Sequence, residues 1–532
     1  VGNGLIYEIG NSMLIRNGVN MWENHKTEEF DRKMLSEDSR QKLLKMVAKR
    51  VRPQDVGKTT ETLWDMRKHA LQLCRQFEPL PADYDCTLET WLAKTSYTAV
   101  QKQGFRDAAR DDPVMTKKLR QCKSFMKAET YPEYKYPRPI KSRTDAFKAF
   151  MGPIFQGINE KLFANTNWFI KKIPVEDRPR VLADKFFPSD RFDCTDFSSY
   201  ESHFIDMILF AIEFPLYIWL TSKIADAKFF REELETLLRS NTCVFKDFKI
   251  ECMSRASGEM NTSSGNGWSN LCVCSYIARA KGCIDFKGQF EGDDGLTKTT
   301  PPGCSPTTQD YKTMGWVCKL IVVPKFEEAS FCGIVADIDD LINVCDIRAY
   351  IADFGWSKQQ YTRSNNTTLR ALIRAKGYSA VFQYPGCPII DSLGRYALRV
   401  TDQEIIKKKF KKMMRSAQFG DCRYKQLRFQ EMMERHNNKI PPKRDTPEAT
   451  RALVHKLFKV SPEEQVRIET YLDGLEDIHE LDIDIDVPEV WRYNWDTYVN
   501  GDINMDTNSH KEIAEFKKFC ANYNPNIFDI QI

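Results

Sequence analysis

The 532-residue chain is poor in several features that would define its class at once. It has little net charge. Its 78 basic and 74 acidic residues leave +4, so no overall field announces a nucleic-acid partner and any basic footprint must be local. It has no disulfide-like framework: the 16 cysteines are scattered, and the one close pair, Cys272 and Cys274, has C-x-C spacing without a neighbouring His or Cys, poor spacing for zinc. Free, mostly buried thiols in a reducing compartment follow, with no disulfide-linked partner. No run is suited to crossing a membrane. The most apolar one, FIDMILFAIEFPLYIWL at 204–220, contains Asp206, Glu213 and Pro215 and is too short to span comfortably. We read it as a buried core helix ending near Pro215. There is no signal peptide, internal repeat or long low-complexity segment. The first residue is Val1 rather than Met, from which we expect a piece of a longer chain.

What the chain does have is a globular composition, 42% hydrophobic and 29% charged, at a length that allows several subdomains around a large core. TLETWLAKTSYTAVQKQGFRDAAR (87–110) has helical spacing interrupted around Thr95–Tyr97. An acid-free run follows, TKKLRQCKSFMK (116–127), and then a segment that Pro132, Pro137 and Pro139 keep largely extended. The middle third reads as mixed α/β: a short strand breaking into a turn within 185–200, a helix within 261–282 stopped by Gly282, strand-turn-strand over 288–298, and two more short strands within 317–335. Helix dominates from about residue 340, with Thr446 a plausible N-cap for Pro447 at a first helical turn.

Four stretches carry the chemistry when taken together. DFSSYE at 196–201 sets two carboxylates, Asp196 and Glu201, around a strand end. SGEMNTSSGN at 257–266 offers Ser257 and Gly258 in a loop that must flex, then Thr262 and Asn266 at i, i+4, which share a helix face. EGDDG at 291–295 places Asp293 and Asp294 side by side at a turn, an arrangement that needs a positive partner to reward it. The basic, proline-broken segment 116–143 is the fourth.

In this order and spacing the stretches resemble the polymerase core of positive-strand RNA viruses. Asp196 to Glu201 resembles motif A, S-G-x3-T-x3-N motif B and G-D-D motif C. RPIKSR, with Arg138, resembles the end of the basic finger, motif F; residues 87–103 resemble the template-entry region, motif G. MGWVCKLIVVPK with Lys325 resembles motif D, and SFCGIV motif E. RALIRAKGYSAVFQYPGCPII and TPEATR look like the thumb of the tombusvirus–nodavirus-like branch, and the resemblance covers roughly residues 85–460.

The resemblance implies an α+β right-hand polymerase, with fingers, an antiparallel palm sheet and a mainly helical thumb. It divides the chain into an extension at 1–60, fingers at 61–185 and 222–255, palm at 186–221 and 256–335, and thumb with C-terminal extension at 336–532. The implied activity is nucleotidyl transfer from NTPs to an RNA 3′-hydroxyl on an RNA template. Two Mg²⁺ or Mn²⁺ ions would be held by Asp196 and Asp293, with Asp294 auxiliary. Asp193 is a competing alignment for Asp196, but only Asp196 has the D-x4-carboxylate spacing. Glu201, where many relatives carry Asp, would order Thr262 and Asn266 toward the ribose 2′-OH. Arg138, supported by Lys127, Lys135 and Lys141, would hold the triphosphate. Lys325, with Lys319 as rival, would protonate pyrophosphate.

The cations at 407–415 either track the product duplex or form a solvated helix face. The expected setting is the host cytoplasm, in membrane-associated replication complexes reached through a membrane-anchored viral partner or a region outside this chain. A non-catalytic RNA-binding subunit on the same fold and a reverse transcriptase are the rival readings. The intact acidic set opposes the first, and Gly292 before the Asp pair opposes the second.

Overall fold

The run FDCTDF is buried at every position except Asp196. Burial on both faces is the mark of a central strand, and the single exposed residue marks where its cover ends. The computed structural model describes residues 60–478 except 96, 110–115, 127–129, 132–138, 239–240, 246–248, 253–254, 358–360, 362 and 416–421. Short strands among residues 6–26 and single positions at 483 and 485 are described as well.

Along the chain, α1 (Thr60–Cys74) precedes two strands, β1 (Cys122–Met126) and β2 (Pro139–Arg143). Helix α2 (Asp145–Ala164) leads to the central strand β3 (Phe192–Phe197), and β4 (Asn241–Val244) and β5 (Lys249–Cys252) form a hairpin. Helix α3 (Thr262–Ala280) precedes the hairpin β6 (Asp285–Glu291) and β7 (Asp294–Thr300), then β8 (Cys318–Val323). Two four-stranded sheets result, in the orders β5-β4-β1-β2 and β6-β7-β3-β8. The second is wholly antiparallel and is the palm. Its terminal strand β8 leaves Ile321 and Val322 about half exposed, with Val317 just before it and Lys319 between.

One core spans fingers and palm. Phe147, Phe155, Phe169, Trp268 and Trp316 are buried in it, and α3 runs through it with Ser264 to Ala278 all buried. A second core begins at Val335 and gathers α4 (Asn366–Gln383), α5 (Ile390–Val400) and α6 (Glu404–Arg415) into a helical thumb. In α6, Ile406, Phe410 and Met413 face inward, whereas Lys408, Lys411 and Lys412 are exposed. Among the described residues no helix is long and apolar enough to cross a membrane.

Three expectations from the sequence need correction. The apolar run does not end near Pro215 but stays helical from Asp206 to Leu220. A π-turn at Leu209–Glu213, with the Phe214 amide bonded to the Leu209 carbonyl, widens the helix just before the proline. Such a turn absorbs the ring and the missing donor. Thr446 is not an N-cap. Its hydroxyl donates to the Gly386 carbonyl, and Asp340, from a distant loop, accepts the Thr450 amide at 3.0 Å and its hydroxyl at 2.7 Å in the first turn of the helix. A partner brought by the fold has replaced the local cap. The second strand expected within 317–335 is reduced to isolated bridges, Phe331 with Ile334, folded around Cys332 and Gly333 at positive φ, and Val335 with Val344.

His69 joins α1 to α3 through its Nε2 contact with the Ser275 hydroxyl, 2.8 Å. Burial lowers its pKa from 6.5 to about 4. The unfolded chain therefore takes up this proton first as the pH falls, so the stability is intact above 6.5 and is lost between 6.5 and 4. This loss is on the order of 2–3 kcal/mol. His69→Gln is expected to flatten the decline in denaturation midpoint over that window; an equally steep decline in the variant would rule out His69 as its source.

Candidate active site

The hairpin β6–β7 pairs Glu291 with Asp294, leaving Gly292 and Asp293 as a two-residue loop. Gly292 has φ +61°, the left-handed value that this first loop position demands. A strand and its return thus present Asp293 and Asp294 at the tip. In the neighbouring pair Thr195 lies opposite Gly295, so Asp196 and Asp294 come next along their two strands.

Electrostatics confirm the convergence. Burial, followed by the charges of Asp294, Glu201 and Asp196, pushes the Asp293 carboxyl up to about 6. Asp294 is also raised, by burial first and then by Asp196 and Glu291, while a hydrogen bond with Cys332 opposes the shift. Asp193 is different. It lies three residues from Asp196, on the opposite face of β3, buried and paired with Arg191 at 3.0 Å. The geometry therefore separates the two alignments in favour of Asp196.

The donors gathered here are carboxylate oxygens, the hard ligands that Mg²⁺ and Mn²⁺ prefer. Their mutual repulsion is what a divalent cation would reverse. Among the described residues no three His, Cys, Asp or Glu side chains are drawn close enough to enclose an ion.

Glu201 accepts from the Asn266 amide at 3.4 Å, half of the contact expected from the sequence. The other half does not form: the Thr262 hydroxyl oxygen is buried without a hydrogen-bond partner, as is the second polar atom of Asn266, its Oδ1. Two buried oxygens thus stand one turn apart on α3 without a hydrogen-bond partner. Under the start of α3 sits a second acid, Glu213, brought there by the π-turn. It pairs with Arg255, and Asn261 donates to its Oε1 at 2.6 Å; the Tyr217 hydroxyl completes the set. All four side chains are buried.

The loop before α3 is held by the fingers. The Lys141 amide in β2 donates to the Ser257 carbonyl at 2.5 Å, and Gly258 follows at φ +110°. A Cβ on Gly258 would stand 3.0 Å from both Ile140 and the Lys141 carbonyl, so only glycine fits. At the next residue Glu259 meets Arg143, Nε to Oε1 2.7 Å, both side chains almost fully buried. Lys141, expected to face phosphate, has only 2% of its surface exposed. Lys127, Lys135 and Arg138 lie outside the described residues.

The two lysine candidates have different surroundings. Lys319 lies directly opposite Asp196 in the β3–β8 ladder, on the same face. Lys325 lies beyond the end of β8, largely exposed and 4.0 Å from Glu327. Sequence reasoning missed Asn270, whose amide donates to the carbonyls of Gly292 (3.3 Å) and Asp293 (2.9 Å). A signal existed: Asn270 continues the i, i+4 series of Thr262 and Asn266. It also missed Lys171, Arg255 and Glu213, for which no local pattern exists.

An antiparallel palm presenting paired carboxylates at a hairpin tip, joined to a finger sheet and a helical thumb, is the right-hand architecture of template-directed polymerases. Residues 231–480, a little under half of the chain, match the family model described as viral RNA dependent RNA polymerase. The matched segment takes in the regions read as motifs B to E; Asp196 and Glu201 precede it. Among solved structures the chain is similar to a Sicinivirus 3Dpol RNA dependent RNA polymerase, 12% identical, at a TM-score of 0.49, over 81% of this chain and 96% of that one. No curated protein matches the sequence.

Proposed function

We propose that the chain extends RNA on an RNA template by two-metal-ion nucleotidyl transfer, replicating a positive-strand genome. The observation that carries the proposal is that Asp196 and Asp294 come next to each other on paired strands of the palm sheet, with Asp293 beside them in the hairpin loop. When bound, two hard cations stabilise the attacking 3′-oxygen and the leaving pyrophosphate oxygen together. Asp196, at the end of β3, and Asp293, in the hairpin loop, would hold them, with Asp294 assisting from the next position.

Glu201 fixes Asn266, and the unpaired oxygens of Asn266 and Thr262 accept a hydrogen bond from the ribose 2′-OH, which a deoxyribose cannot supply. Lys319, beside Asp196, is better placed than Lys325 to protonate pyrophosphate. Arg138, Lys127 and Lys135 are assigned to the triphosphate, and Ser257 with Gly258 to a loop that adjusts to template and nucleotide. A membrane-anchored viral partner, and a place among host-membrane replication complexes, belong to the same proposal.

The test is elongation on a homopolymeric RNA template by purified protein across a Mg²⁺ titration. Metal-dependent extension with NTPs is the expected result. Extension with dNTPs instead would favour a reverse transcriptase, and no metal-dependent product a non-catalytic subunit.

A further inference from the structure

We propose that Lys171 is a positioning residue of the catalytic centre, locking the first turn of α3 to the turn that carries Asp293. The inference rests on the polymerase reading above and extends it to a residue outside the motifs. The Lys171 ammonium donates to the Ser263 hydroxyl at 2.6 Å, lies 3.7 Å from the Glu291 carboxylate, and sits 4.6 Å over the Phe163 ring. Its backbone is anchored before the side chain begins. The Phe290 amide donates to the Trp168 carbonyl (2.8 Å) and the Ile170 amide to the Phe290 carbonyl (3.3 Å), so this segment lines the outer edge of β6.

The placement does not serve the helix itself. A cation at a helix N-terminus opposes the macrodipole, and the first turn of α3 has no acidic residue to compensate. Glu291, from the hairpin, is the compensating charge. The contact joins side chains of three segments at one point: the stretch that follows α2, the first turn of α3 and the hairpin.

What it fixes is rotation. Ser263, Gly267 and Asn270 fall on one face of α3, at helical spacing. Gly267 is the close approach in the middle: a Cβ there would stand 3.2 Å from Phe169 and 3.6 Å from the Gly292 nitrogen. Asn270 ties one end of this seam to the carbonyls of Gly292 and Asp293, and Lys171 ties the other. Seven residues separate the ties, roughly 10 Å along the axis at the helical rise. One tie alone leaves a pivot; two set the helix angle. Thr262 and Asn266 flank the seam, so that angle places the sugar-sensing oxygens relative to Asp293.

Lys171→Met keeps the apolar stem and removes the tie. In single-nucleotide extension it is expected to lower kcat/KM for NTP at least about tenfold, in the range that small displacements of reacting groups produce. It should also narrow the preference for NTP over dNTP. Lys171→Arg should restore both to within about threefold, and Ser263→Ala should shift the preference in the same direction. Lys172→Met, at an exposed neighbour, should leave rate and preference unchanged. A merely structural role would lower the amount of active protein without moving the preference. Wild-type preference in both Lys171→Met and Ser263→Ala overturns the inference; if Lys171→Met does not fold, Ser263→Ala decides alone. Absence of extension by the wild type instead overturns the polymerase reading, so the two failures are distinguishable.

Discussion

Asp293→Asn is expected to abolish RNA synthesis, by at least about a thousandfold, while leaving the protein folded. The substitution keeps the shape of the loop residue and the positive φ of Gly292 before it. What it removes is the charge that Asp294, Glu201 and Asp196 already disfavour. The two consequences have opposite signs. Removing a buried, repelled carboxylate should leave the melting temperature at neutral pH equal or higher, because the folded state holds this ionised group only at a cost. Catalysis loses a ligand and cannot compensate. Added Mg²⁺ should raise the melting temperature of the wild type and not of the variant. An Asp293→Asn protein that retains more than about a tenth of the wild-type rate would remove Asp293 from the chemistry.

Arg143→Met is expected to destabilise the protein by about 3–5 kcal/mol, the effect of leaving one member of a buried ion pair alone. Among the described residues only Arg143 hydrogen-bonds the Glu259 carboxylate: its Oε2 is without a hydrogen bond and its other oxygen takes the Arg143 Nε. The pair lies where the finger strand β2 meets the loop before α3, so the loss should appear as a lower denaturation midpoint and as faster proteolysis near Ser257. The double variant Arg143→Met/Glu259→Leu should recover most of the stability, since a buried ion pair is often replaceable by apolar side chains of similar volume. A single variant within about 0.5 kcal/mol of wild type would mean the pair is solvated in solution.

The metal-site candidates were legible because their signals are local. Gly292 before two acids predicts a tight hairpin, and D-x4-E spacing separates Asp196 from Asp193. Gly282 closes α3 as expected, just after its last helical residue, Ala280. What the sequence hid depends on partners that only the fold supplies. Lys171 reaches Ser263 across 92 positions, and Arg255 reaches Glu213 across 42. Thr446 has the right composition for a cap, yet Asp340 reaches the helix first. Pro215 reads as a terminator because a π-turn has no sequence signature of comparable strength. The helical thumb followed from periodicity, whereas the place of Lys319 opposite Asp196 needed the register of β8 against β3.

Among the described residues strand β8 is the terminal strand of the palm sheet, and Lys319 lies between half-exposed Val317, just before the strand, and Ile321 and Val322. Bare rims of this kind invite another chain to stack on, and a single lysine within one is a common guard against that. A lysine at 319 suits that guard position whatever becomes of the pyrophosphate role proposed for it. Replacing it with methionine would blunt turnover and encourage clumping together, so a drop in yield from that variant says nothing about proton transfer until light scattering has shown the sample monodisperse. Glutamine, polar and uncharged, is the cleaner probe.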